Sequence, residues 1–69
     1  MDIQWIEGFC IKVEISGDEV TVSANREGLL SLAEQLTALA DETSGSHIHY
    51  DGFNSLEEGS AVMIVEKTE

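Results

Sequence analysis

Cations are scarce in this chain: three Lys and Arg stand against fourteen Asp and Glu over 69 residues, for a formal charge of −11. Phosphates would be repelled by such a surface, which argues against DNA, RNA and anionic lipid and favours a basic partner. The same charge also keeps a small protein in solution. Cysteine is nearly absent, Cys10 being the only one. That excludes an internal disulfide and a Cys-based zinc knuckle, and it fits a reducing cytoplasm. Length is short: residues 1–69 make one domain, and a chain of this size hides only about 60% of the surface it exposes when unfolded. A two-domain enzyme with a deep cleft between its halves is excluded. No apolar run approaches the roughly 20 residues needed to span a bilayer. A basic, apolar leader is also missing, so the expectation is a soluble cytoplasmic protein with no membrane partner. Proline, low-complexity tracts and internal repeats are all lacking.

Aromatics are few, and acidic chains poor in aromatics are often disordered. Pattern decides otherwise. Phe9, Ile11, Val13 and Ile15 alternate with Cys10, Lys12 and Glu14, the period-2 signature of a half-buried strand. Ile3 and Trp5 keep that parity upstream, and Glu7-Gly8 breaks it with a bulge or bend. Ser16 to Glu19 are turn formers, after which Val20, Val22 and Ala24 resume the alternation, completing a β-hairpin. Asn25 is a favoured N-cap, and Glu27 suits the positive end of a helix dipole. Leu29, Leu32, Ala33, Leu36, Leu39 and Ala40 then fall at helical spacing, predicting a helix over 26–42. Asp41 and Glu42 sit poorly at a helix C-terminus, where cations are preferred, and Gly45 offers a stop. Residues 47–51 alternate again, and 61–66 are apolar on both parities, as in a central strand. The connection from Gly52 to Ser60 reads as an ordered or half-ordered loop with an acidic tip.

The expected fold is α+β: a two-layer ββαββ domain whose four-stranded, mainly antiparallel sheet carries one helix on one face. Core candidates are Phe9, Ile11, Val13, Val20, Val22, Leu29, Leu32, Leu36, Leu39, Ile48, Tyr50 and Ile64. The leucine stripe is read as core, because the sheet has no other cover. The second sheet face would show Cys10, Lys12, Thr21, His47, His49 and either Met63 or Val65. Such a face can serve a homodimer or another partner.

The sharpest local signal is His47-x-His49-x-Asp51. On a strand these three side chains share one face about 7 Å apart, and two imidazoles with a carboxylate can ligate zinc or another divalent ion. The plainer reading is a solvated polar strand, and it leads because no other His or Cys cluster completes a site. Ser44, Ser46 and Ser60 lie near the histidines in sequence, yet no nucleophile elbow surrounds them. Glu57 and Glu58 are adjacent in a loop without an apolar pocket to raise a pKa. Gly28 is isolated, so no phosphate-cradling loop exists. Cys10 reads as an ordinary free thiol. An enzyme is not expected, nor is a cofactor.

Three stretches carry a resemblance: Asn25 to Leu36, with its Asn…Gly-Leu…Leu-Ala pattern; Gly45 to Asp51, with His-x-His-x-Asp; and Leu56 to Ser60, with Leu-x-x-Gly-Ser ahead of an apolar strand. Over about residues 13–67 the chain resembles the small bacterial immunity protein 32 family. The resemblance implies an inhibitor that neutralises a toxin used in competition between bacteria. His47, His49 and Asp51 match the strand motif, and Gly59 and Ser60 match the turn. No catalytic residue transfers. An acidic inhibitor fits a basic toxin such as a nuclease, whose phosphate-binding cleft carboxylates can occupy. His47, His49, Asp51, Glu57 and Glu58 are the expected partner contacts. The alternatives are a small metal-binding domain centred on His47, His49 and Asp51, and a self-associating domain.

Overall fold

A computed structural model describes residues Met1–Glu69. Strands β1 (Ile11–Ser16) and β2 (Glu19–Ala24) are followed by helix α1 (Arg26–Ala40), then β3 (His47–Tyr50) and β4 (Met63–Glu66). β1 and β2 pair antiparallel from Ile11 opposite Ala24 to Ser16 opposite Glu19. Their two-residue turn places Gly17 first, at φ +62°, the conformation that suits the twist of a tight hairpin. β3 and β4 pair antiparallel from His47 opposite Glu66 to Tyr50 opposite Met63. The molecule measures 31 × 30 × 19 Å; its short axis accommodates one helix over one layer of strands.

The expected single four-stranded sheet is not formed; β1–β2 and β3–β4 are two separate antiparallel pairs. The segment leading into β4 does run beside β1 and parallel to it. Glu57 N–H donates to Ile11 O and Ala61 N–H to Val13 O, both at 2.8 Å, and Val13 N–H reaches the Ser60 Oγ at 3.1 Å. Between those two backbone bonds β1 advances two residues and its neighbour four. The excess is coiled into a turn closed by Ser60 N–H on Glu57 O, with Gly59 at φ +86°. A continuous ladder cannot bridge that turn, so the layer splits there.

The alternation of Ile3 and Trp5 does not extend β1 either. Residues 1–10 contain no strand. They bend at Glu7-Gly8, where Phe9 N–H donates to Ile6 O and Gly8 has φ +88°. Ahead of the bend the segment lies along α1: Ile6 N–H donates to Ser31 Oγ at 2.9 Å and Gln35 Nε2 to Gln4 O at 2.7 Å.

The buried apolar core is Ile11, Val13, Leu32, Leu39, Ile48, Tyr50 and Leu56, with Trp5, Phe9, Ala24, Ala61, Met63 and Val65 packed against it. Five expected core residues lie exposed instead: Val20, Val22, Leu29, Leu36 and Ile64. Ile64 is exposed by parity. Ile48 and Tyr50 turn inward and face Val65 and Met63 across the pair, so Met63 and Val65 belong to the inner side and Ile64 to the outer one. The helix is rolled relative to its leucine stripe. Its buried residues are Gly28, Ser31, Leu32, Gln35 and Leu39, and it ends at Ala40 rather than 42.

Gly28 explains the roll. A Cβ there would lie 2.7 Å from Cys10 O, 2.9 Å from Ile11 Cγ1 and 3.1 Å from Ala24 Cβ. Only glycine lets the first helical turn sit so close to the hairpin. From that contact α1 crosses the strands diagonally. It ends beside the far end of β4, where Lys67 Nζ donates to Ala40 O at 2.6 Å. The cation missing from the helix's own last turn is therefore supplied from β4's extension, close to the negative end of the dipole.

Candidate functional site

Asn25 ties the two ends of the hairpin region to the helix. Its Oδ1 accepts from Gly28 N–H at 2.8 Å, capping α1, and from Cys10 N–H at 3.0 Å, while its Nδ2 donates to Gly8 O at 2.8 Å. Beside this junction lies a shallow open depression of about 510 Å³. Cys10, Lys12, Ser23, Ala24 and Asn25 line it together with Glu57 and Glu58. The Cys10 thiol donates to Glu57 Oε1 at 3.1 Å. That hydrogen bond, with lesser effects of desolvation and of the Glu57 charge, pushes the thiol above its ordinary 9.0. A thiol held protonated is a poor nucleophile near neutrality.

The histidine row is divided. His47 and His49 are exposed on the outer side of β3, with ring centroids 4.9 Å apart in an edge-on arrangement. His47 Nδ1 lies 3.1 Å from Gly45 O. Asp51 serves its own loop: its Oδ1 accepts from Phe53 N–H at 2.9 Å and Asn54 N–H at 3.0 Å. Ser55 and Leu56 N–H both donate to Asp51 O, and Leu56 is thereby turned into the core. The loop from Gly52 to Ser60 is ordered by this Asx-type staple. The structure holds no group of three or more His, Cys, Asp or Glu side chains placed to share a metal ion. His47 and His49 adjoin each other while the Asp51 carboxylate is taken up by its own loop, and Glu57 and Glu58 line the depression, which neither histidine does.

A polar line inside the core escapes a reading based on apolar periodicity. Buried Tyr50 donates its hydroxyl to Gln35 Oε1 at 2.8 Å, Gln35 Nε2 holds Gln4 O, and Ser31 Oγ accepts from Ile6 N–H while donating to Glu27 O. Burial pushes the Tyr50 phenol above its ordinary 10.0. No buried side-chain N or O is left without a partner. The signal for this line was present in the spacing of Gly28, Ser31, Leu32, Gln35 and Leu39, a helical face once small and amide residues are counted as buried.

A family model described as Immunity protein 32 matches residues 19–68. The chain belongs to this family. The matched span takes in β2, α1, the Asp51 loop, β3 and β4, nearly three quarters of the chain. It overlaps most of the 13–67 span marked by the three motifs. Comparison with curated proteins and with solved structures finds no significant match. Membership in an immunity protein family implies a protein toxin as partner. No helix of the chain is long and apolar enough to cross a membrane.

Proposed function

We propose that this chain is a non-enzymatic inhibitor that binds and neutralises a basic bacterial toxin of nuclease type, protecting the cell that makes it from the cytoplasmic side. The family match over residues 19–68 carries this reading. The charge of −11 supports the choice of a basic partner, because a dense acidic surface accelerates encounter with a cationic one and competes for a phosphate-binding cleft. The depression beside Cys10 adds nothing catalytic, its one thiol being quenched by Glu57. Among the residues singled out in the sequence, His49 and Glu58 are exposed and make no side-chain hydrogen bond within the chain.

The test is co-expression with the product of the neighbouring upstream gene. Growth should be arrested by that product alone and restored when both are made. The two should co-purify in low salt and separate progressively as salt is raised. Absence of toxicity, or rescue without a complex, would defeat the inhibitor reading.

A further inference from the structure

The diagonal course of α1 leaves two corners of the inner strand face uncovered by the helix. One lies at the near end of β3 and β4, where Tyr50 pairs with Met63. The N-terminal segment fills it: Trp5 stacks on Phe9 at 4.4 Å and meets Tyr50 edge-on at 6.0 Å, leaving Tyr50 fully buried. The opposite corner is the far half of the hairpin. Val22 and Val20 lie across from Val13 and Ile15, on the same side as buried Ile11 and Val13. The chain leaves Val22, Val20 and Ile15 exposed. Ile15 is 61% exposed, Val20 62% and Val22 40%, and the flank of α1 turned away from the N-terminal segment adds Leu29 at 55% and Leu36 at 41%. Five large apolar side chains on one corner of a 69-residue domain exceed the scattered exposure normal for a monomer. The patch also reaches the outer edge of β2, whose only strand neighbour is β1. An unpaired edge rich in β-branched residues invites cover.

We propose that this corner, formed by Ile15, Val20, Val22, Leu29 and Leu36, is the surface on which the toxin docks, and that its occupant is a positively charged protein surface with an apolar centre. This rests on the inhibitor reading above and locates its interface on the inner corner rather than at the histidine row. Charge selects the occupant. Asp18 and Glu19 close the hairpin at one border of the patch, and Asp41 and Glu42 end the helix beyond Leu36. Of the three cations, Lys12 borders the depression on the outer side, and Arg26 opens the helix three residues before Leu29, against the four carboxylates Asp18, Glu19, Asp41 and Glu42. The third, Lys67, is engaged with Ala40 O. A second copy would bring two chains of −11 together with like-charged borders opposed, whereas a cationic surface would pair with them. An apolar centre within a polar, complementary rim is the usual anatomy of a specific interface.

The triple variant Val20→Thr, Leu29→Gln, Leu36→Gln tests it, all three positions being exposed and the replacements suited to strand and helix. Circular dichroism and the urea midpoint establish that it folds. Its affinity for the purified upstream-gene product is then compared with wild type and with His49→Ala, Glu58→Gln. Loss of about a hundredfold or more in the triple variant, with less than threefold change in the outer-side variant, supports the corner as the interface. Wild-type binding that the triple variant retains overturns the location while leaving the inhibitor reading intact. No wild-type binding defeats the inhibitor reading itself, and this proposal with it. A wild-type dimer in sedimentation equilibrium that the triple variant abolishes would make the occupant a second copy and overturn the choice of partner.

Discussion

Asn25 joins three elements through one side chain, because an amide can accept from Gly28 and Cys10 while donating to Gly8. Asn25→Ala removes a helix cap and leaves two further backbone groups unpaired, so it should cost about 2 kcal/mol, read as a lowered urea midpoint. Asn25→Asp, which keeps the acceptor and loses the donor, should fall between. The Cys10–Glu57 contact makes a second prediction. Iodoacetamide alkylation of the thiol should rise with pH through a midpoint above 9.0, and Glu57→Ala should move that midpoint down by removing the bond that favours the protonated form. Tyr50 makes a third. The folded state holds its phenolic proton more tightly than the unfolded chain does. Its stabilising contribution is thus complete below pH 10.0 and is lost as pH rises through the higher folded value. The urea midpoint should drop between pH 9 and pH 11.5, and Tyr50→Phe, though weaker at neutral pH, should drop less.

At the scale of elements, helix α1 is placed by its smallest residue. In an exposed helix Gly→Ala gains about 1 kcal/mol. At position 28 the added methyl would press on a backbone carbonyl, and backbone cannot yield as a side-chain tip can. Gly28→Ala should therefore destabilise by about 1–3 kcal/mol despite the better propensity, measured by thermal or urea unfolding. The same contact accounts for the rolled helix. With Gly28 pressed on Cys10 and Ile11, Ser31 and Gln35 turn inward to serve the N-terminal segment, and Leu29 and Leu36 turn out. The split between the two strand pairs is likewise a local matter, set by the turn from Glu57 to Ser60 inserted beside β1.

For the whole molecule, charge is the dominant quantity. Fourteen acidic groups on a 7.5 kDa chain repel one another in the compact state. Raising NaCl from 0.05 to 0.5 M should therefore increase the thermal midpoint of the free protein while weakening its complex with a cationic partner. Opposite salt responses of fold and complex would follow from a single cause, the unneutralised acidic surface. A free protein whose midpoint is flat or falls with salt would contradict that account.

Much of this architecture was legible in residue order. The hairpin, the Asn25 cap, the helix and both later strands follow from local periodicity and turn chemistry, which depend on neighbours a few residues apart, and the family motifs are short enough to read directly. Other features depend on distances in space. The roll of α1 follows from a close approach between Gly28 and residues far off in sequence, Cys10 and Ile11. The fate of Asp51 followed from its loop closing on its carboxylate, and that of Glu57 from the Cys10 thiol arriving beside it. Whether Val20, Val22, Leu29 and Leu36 are core or surface depends on which corner of the strand layer the N-terminal segment fills. Periodicity marks a face as apolar; only packing determines whether the chain itself covers that face or leaves it for another molecule.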